Sequence, residues 1–201
     1  YSDPSEEQLK AERIVSDHLR TATFIIGDPM GVSPSNTDQG YILRRMIRRA
    51  VRYGRELGIE GDFICKLAQI YVKQYGVFYT ELLANQERIF TELAKEESKF
   101  NKTLNKGLSM LHREMEKNSE RKDKGINAFG EDFCFEMFAT YGFPIEMTVE
   151  ELEKEGWITN IQDKEKVLHD FENNFKKHQE LSRAGAEKKF AGGLADNSEE
   201  V

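Results

Sequence analysis

The segment from Tyr41 to Gly58, YILRRMIRRAVRYGRELG, constrains the fold more than any other part of the chain. It holds six arginines and one glutamate, whereas the whole chain of 201 residues has a net charge of −7. At about 100° per residue, its apolar and basic side chains separate onto opposite faces of a helix. The apolar face consists of Leu43, Met46, Ile47, Ala50, Val51, Gly54 and Leu57. The arginine face consists of Arg44, Arg45, Arg48, Arg49, Arg52 and Arg55. The pattern predicts an amphipathic helix whose apolar face packs against a core.

The rest of the chain has helical periodicity and no convincing strand pattern. Helices are predicted at about 5–27, 38–57, 62–75, 79–117, 131–140, 148–156 and 163–183. Thr148 and Glu151 are expected to form a capping box at the start of the sixth. The predicted fold is all-α, a helical bundle in two subdomains with one long helix and no sheet. Its expected parts are a subdomain at 1–118, a charged linker at 119–128, a subdomain at 129–190 and a disordered tail at 191–201.

Composition excludes several classes of protein. The two cysteines, Cys65 and Cys134, lie in no CxxC or Cys/His cluster, so no metal site is predicted and burial of both thiols is favoured. No apolar run approaches the roughly 20 residues of a membrane helix, and no signal peptide is recognisable. No phosphate loop, Ser/His/Asp grouping or paired-carboxylate site can be argued either. The chain is therefore expected to be cytoplasmic and, by itself, without catalytic groups.

The arginine face requires a source of negative charge, because arginines at helical spacing repel one another. Carboxylates of the acidic remainder could supply it, and so could a phosphate backbone, to which the planar guanidinium donates bidentate hydrogen bonds. The pattern alone favours neither. Acidic pairs such as Glu96–Glu97 and Glu150–Glu151 are predicted to lie on solvent-facing sides of their helices.

A polar loop precedes the arginine helix and ends in the sequence PSN. Asn36 can both donate and accept hydrogen bonds, so it could read a base edge. The alternative, which local evidence favours, is that Ser35 or Asn36 caps the helix. A cluster of aromatic residues, Phe133, Phe135, Phe138, Tyr141 and Phe143, could stack on bases, but packing in a core is favoured.

Three blocks carry a resemblance to a known family. They are VSDHLRTATFIIGD, then PSNTDQGYILRRMIRRAVRYGRELG, then YGFPIEMT, and their order and spacing resemble the middle region of alanyl-tRNA synthetases. The resemblance covers roughly Glu12 to Lys188. It implies that this segment binds the acceptor stem of alanine tRNA in a cleft between two subdomains. It also implies that the arginine face contacts phosphates and that the third base pair, typically G·U, is read here.

In the family, that pair is read by an asparagine in the PSN block and an aspartate before TYGFP. The asparagine falls on Asn36, whereas the aspartate falls on Ala139, which offers a methyl group and no hydrogen bond. Asp132 is a poor substitute because it lies two turns away. The loop before PSN is also about two residues longer than usual. We therefore expect the third pair to be read more loosely, or a different pair to be preferred.

The resemblance further implies that the parent enzyme is an alanine–tRNA ligase that uses ATP and magnesium in protein biosynthesis. Its catalytic domain would lie upstream and its editing domain downstream, and these domains are the expected protein partners. No cofactor and no membrane contact are expected for this segment. The alternative function is a helical scaffold whose arginine face docks an acidic protein. A free-standing enzyme is a second rival, against which the absence of any catalytic constellation argues strongly.

Overall fold

The computed structural model describes residues 3–192, with side chains described as far as residue 181. Throughout these residues the backbone is helix and connecting loop without a strand, so the all-α prediction is confirmed. The α-helices are α1 (Glu6–Gly27), α2 (Asp38–Glu56), α3 (Ile64–Tyr75), α4 (Thr80–Ala84), α5 (Gln86–Lys117), α6 (Phe133–Tyr141), α7 (Ile145–Lys154) and α8 (Ile161–Gly192). No helix in the described range is both long and apolar enough to cross a membrane.

The chain forms two compact units, residues 1–109 and 110–201, and the division falls within α5. The segment predicted as a linker, 119–128, forms 3-10 turns in the second unit, with Ile126 and Ala128 buried. The helix α8 includes the first two residues of the predicted tail. The rest of that tail, 193–201, lies outside the described residues.

In the first unit, α1 packs against α2, α3 and α4. The capping box of Ser5 and Gln8 begins α1, with the Ser5 hydroxyl accepting from the Gln8 amide at 3.1 Å. The fully buried side chains include Leu19, Ile26, Leu43, Ile47, Ile64, Leu82, Ile89, Leu93 and Phe100. These are the apolar positions that helical periodicity places on inward faces. A Cβ added at Gly54 of α2 would lie 2.1 Å from the Phe63 ring, so the absence of a side chain permits this close packing.

The long helix predicted at 79–117 is interrupted at Asn85, which separates α4 from α5. The Asn85 side-chain amide donates to the carbonyl of Gly27 at 2.9 Å, and Arg88 donates to the carbonyl of Asp28. These bonds satisfy carbonyl groups at the end of α1 that have no partner within the helix. The break is therefore associated with tertiary contacts to the end of α1, which helical periodicity cannot reveal.

In the second unit, α6, α7 and α8 pack together around aromatic rings. Phe138 meets Phe171 edge to face at 5.4 Å between ring centroids, and Phe129 meets Trp157 at 4.9 Å. Phe133 and Phe143 are buried, as the core interpretation predicts. Burial raises the pKa of the Cys134 thiol to about 12 and also raises that of Cys65, which is only half-buried.

The capping box predicted at Thr148 is wrong. The helix α7 begins three residues earlier, at Ile145, with Pro144 preceding its first turn, and Thr148 is fully buried inside it. Proline is compatible with the position before a helix because no intrahelical hydrogen bond needs its missing N–H there. Pro144 therefore marks the start of α7 more closely than the pair Thr148 and Glu151 does.

Candidate nucleic-acid interface

The loop before α2 folds back onto the first turn of that helix. The Ser35 hydroxyl donates to the carbonyl of Thr37 at 2.9 Å and accepts from the Thr37 amide at 3.3 Å. Asp38 has a φ of 50°, in the left-handed region that costs energy for residues other than glycine. A Cβ added at Gly40 would lie 2.2 Å from the Ser35 hydroxyl oxygen. The loop thus has a defined shape that depends on Ser35 and Gly40.

Asn36 lies exposed at this loop and does not cap the helix. The residue at the cap position is Thr37, whose side chain makes no capping bond, so the interpretation of Ser35 or Asn36 as the cap residue is wrong. The side-chain oxygen of Asn36 instead accepts a hydrogen bond from a terminal nitrogen of Arg44. Because a guanidinium can only donate, this bond identifies the oxygen and turns the Asn36 NH2 group away from Arg44.

Arg44 and Arg48 share one carboxylate from α5. The Nε of Arg44 lies 3.1 Å from Oε1 of Glu96, and the Nε of Arg48 lies 2.6 Å from the same oxygen. Arg48 and Glu96 are each only 4% exposed, and the Arg48 guanidinium lies 5.0 Å from the centre of the Phe100 ring. Burial lowers the pKa of Arg48, and Glu96 opposes that shift.

Arg52 and Arg55 also have partners within the chain. Arg52 is buried and lies 3.1 Å from the Glu56 carboxylate. Arg55 donates to the carbonyl of Ile59 at 2.8 Å and to the side-chain oxygen of Asn101 at 3.0 Å. Arg55 therefore connects the end of α2 to the loop after it and to α5, whereas Arg52 pairs with the next turn of its own helix.

Arg45 and Arg49 form a second row, four residues apart on α2, and both are partly exposed. Arg45 lies over the Tyr41 ring at 5.9 Å, and Arg49 lies over the Tyr53 ring at 5.6 Å. Stacking on an aromatic ring restricts a guanidinium without neutralising its charge. The two guanidinium groups of this row are thus partly exposed and restrained beside aromatic rings.

The prediction that Glu96 and Glu97 face solvent is wrong. Glu97 is fully buried, and its carboxylate accepts from the amide of Phe63 at 3.0 Å, just before α3. Burial raises the pKa of Glu97, although bonds from the amides of Phe63 and Ile64 oppose the shift. Glu151 is likewise buried, whereas Glu150 is partly exposed.

A sequence signal for these buried glutamates was available. Leu93, Glu96, Glu97, Phe100 and Leu104 follow the spacing of a single inward face of α5, and all five are buried. The positions of Glu96 and Glu97 in the helical repeat therefore match the core, although their charge favours solvent.

Ala139 is exposed in the last turns of α6. Asp132 is also exposed and occupies the residue before the helix, where its side chain makes no capping bond. Seven residues of α-helix separate positions by about 10 Å along the axis. The methyl group of Ala139 is therefore open to solvent, and Asp132 does not replace a carboxylate at that point.

The pattern of the family described as tRNA synthetases class II (A) matches residues 1–198 of the chain. The chain is 47% identical over 201 residues to the alanine–tRNA ligase of Treponema denticola, which covers 100% of this chain and 32% of that protein. It is 45% identical over 189 residues to the alanine–tRNA ligase of Treponema pallidum, covering 94% of this chain and 30% of that protein. The chain belongs to the alanyl-tRNA synthetase family.

More distant alanyl-tRNA synthetases align as well. The alanine–tRNA ligase of Oleidesulfovibrio alaskensis is 35% identical over 193 residues, which are 96% of this chain and 20% of that protein. The chain thus spans about a third or less of the length of the curated alanyl-tRNA synthetases it matches. The family resemblance predicted from the three sequence blocks is confirmed.

Proposed function

We propose that this chain is the part of an alanyl-tRNA synthetase that binds the acceptor stem of alanine tRNA. The observation that carries the proposal is the exposed Asn36, which accepts a hydrogen bond from Arg44 just before α2. The same helix presents Arg45 and Arg49 as a partly exposed row. Phosphate contacts that fix register, combined with a polar side chain at a base edge, are the two components of specific nucleic-acid recognition.

The polarity of Asn36 limits what it reads. Because its oxygen accepts from Arg44, its NH2 group is the part that faces a ligand, and this group donates to acceptors. In an RNA helix the accessible edge is the shallow minor groove, where bases present oxygen and nitrogen acceptors. We therefore assign Asn36 to an acceptor on the minor-groove edge of the third base pair.

The six arginines divide into two roles in this proposal. Arg45 and Arg49 are the principal phosphate contacts, and the partly exposed Arg44 and Arg55 lie beside them. Arg48 and Arg52 are buried against Glu96 and Glu56, so they hold the helix in place rather than meet the stem in this conformation. The family resemblance implies that all six arginines contact phosphates. We exclude Arg48 and Arg52 from that set because both are buried.

The chemistry of the parent enzyme is also a proposal. The similar proteins are named alanine–tRNA ligases, and this chain covers 30% and 32% of two of them. We propose that ATP and magnesium act in a catalytic domain of the parent chain and that an editing domain is a further partner. The role of this segment is to hold the tRNA so that its 3′ end reaches that catalytic domain.

The test is a titration of the chain with an alanine-tRNA acceptor-stem hairpin over a range of salt concentrations. Each phosphate contact removed should lower the slope of log affinity against log salt by about one, so the double variant Arg45→Ala, Arg49→Ala should lower it by about two. The double variant Lys66→Ala, Lys73→Ala is the matched control, because it removes two exposed positive charges from α3 of the same unit. Equal losses in both variants, or no binding by the unmodified chain at low salt, contradict the proposal.

A further inference from the structure

We propose that Glu96 and Arg44 are positioning residues that orient the Asn36 amide for base readout. The inference rests on the proposed function and adds two residues that do not themselves read a base. Three side chains form a chain of contacts from the buried face of α5 to the exposed loop: Glu96 to Arg44, and Arg44 to Asn36.

The inner end of this chain is fixed. Glu96 is 4% exposed, and its Oε1 accepts from Arg48 at 2.6 Å as well as from Arg44. Arg48 is itself buried beside the Phe100 ring. A carboxylate held by two guanidinium groups in a buried position has little freedom to rotate, because each hydrogen bond to a charged group is strong.

Arg44 transmits this restraint outward. Its Nε meets Glu96 while a terminal nitrogen of the same guanidinium meets the Asn36 oxygen. The guanidinium is planar and rigid, so fixing one side of it fixes the direction of the donors on the other. Lysine carries the same charge but has no fork that could meet both partners in a set geometry.

The consequence concerns the direction of the amide. An exposed asparagine can rotate by half a turn about its last bond and exchange its donor and acceptor groups at little cost. With Arg44 in place, only the orientation with NH2 outward keeps the bond to Arg44. The Glu96–Arg44 pair thus makes Asn36 a donor rather than a group that accepts and donates equally well.

The contact adds little to folding. Asn36 is exposed and the Arg44 side chain retains 24% of its exposure, and hydrogen-bonded charges at a surface contribute weakly to stability. Stabilisation of the fold therefore does not explain this contact well. Orienting the Asn36 amide requires only that the contact order the side chain locally.

The experiment measures Kd for acceptor-stem hairpins with G·U, G·C or A·U at the third position. The chains compared are the unmodified protein and the variants Asn36→Ala, Arg44→Lys, Glu96→Gln and Arg44→Lys combined with Asn36→Ala. Glu97→Gln is the matched control, because Glu97 is a buried neighbour on α5 that contacts the start of α3 instead of Arg44. Circular dichroism of each variant verifies that it is folded. If Glu96→Gln unfolds, Arg44→Lys still tests the positioning role, because Arg44 is partly exposed and its replacement is less disruptive.

The unmodified chain should distinguish the best and worst pair by about tenfold, which is in the range of one polar contact to a base. In Arg44→Lys and Glu96→Gln that ratio should fall to about twofold or less, with the salt slope of Arg44→Lys retained because the charge remains. Adding Asn36→Ala to Arg44→Lys should change the ratio no further. Glu97→Gln should keep the full ratio.

The outcomes separate this inference from the proposed function. If the unmodified chain binds no hairpin, the proposed function itself fails. If Asn36→Ala abolishes the distinction between pairs while Arg44→Lys and Glu96→Gln retain it, the proposed function stands and the positioning role is overturned. Equal binding of all three stems by the unmodified chain also overturns the inference, because there is then no readout to orient.

Discussion

The interior of the first unit holds several charged side chains, whereas that of the second holds Glu151 together with a cluster of aromatic rings. In the first, Arg48, Arg52, Glu96 and Glu97 are all inaccessible or nearly so. In the second, Phe133, Phe143, Trp157 and Phe171 occupy the interior. Buried ion pairs are no more stabilising than well-packed apolar groups, because both charges lose their hydration. Of these side chains, Glu96 is the one that connects through Arg44 to the exposed loop before α2.

A similar difference separates the two positions at which the family resemblance predicts base reading. Asn36, in the first unit, is held through Arg44 by a buried carboxylate. Ala139, in the second, is an exposed methyl group near the end of α6. One position thus has a supporting network and a polar group, while the other has neither.

The strongest test of the buried charge in the first unit is Arg48→Ala. Removing one partner of a buried ion pair leaves the other poorly compensated, so the free energy of unfolding should fall by about 3 kcal/mol or more. Arg45→Ala, on the partly exposed row of the same helix, should lower it by about 0.5 kcal/mol or less. Urea unfolding followed by circular dichroism measures both, and losses of equal size would refute the division of the arginines into two rows.

The contrast between the two reading positions can be sharpened by Ala139→Asp. A carboxylate there accepts from base amino groups, so discrimination among third base pairs should increase by about 1–3 kcal/mol. Thr140→Asp is the control, because it adds the same charge at the next exposed residue of α6. Both variants should weaken binding to every stem slightly by repelling phosphates, but only Ala139→Asp should increase the discrimination. Unchanged discrimination would mean that position 139 does not meet the third pair.

The smallest expected effect concerns the pH dependence contributed by Glu97. Burial raises its pKa above the ordinary value of 4.5, so the folded chain binds this proton more tightly than the unfolded chain does. The associated stability is fully present below pH 4.5 and is lost as the pH rises through the raised pKa. Glutamine does not titrate, so the stability of Glu97→Gln relative to the unmodified chain should increase from pH 4.5 upward.

Urea unfolding at a series of pH values from 4.5 to about 7 measures this trend. Glu87→Gln, at an exposed position on the same helix, is the control and should follow the unmodified chain. A parallel pH dependence in Glu97→Gln and the unmodified chain would show that Glu97 does not contribute to it.

Much of the fold followed from local patterns. The start of α1 at the Ser5 capping box and the end of α2 before Gly58 agree with the predicted bounds to within a residue or two. Both are set by hydrogen bonds or dihedral angles within a few residues. The break at Asn85 and the start of α7 at Ile145 differ from the predicted bounds for different reasons. The break depends on the carbonyl of Gly27, 58 residues away, whereas the start of α7 follows Pro144 rather than the predicted capping box.

The sequence alone determined that α2 has an apolar face and an arginine face, that Asn36 precedes it in a polar loop, and that Ala139 lacks a polar group. These conclusions need only the helical repeat and the chemistry of the side chains. The tertiary structure decided which arginines turn inward, because a repeat shows which side chains share a face but not what lies opposite. The partner of Arg48 is Glu96, 48 residues along the chain, and only folding brings that carboxylate within 2.6 Å of the guanidinium.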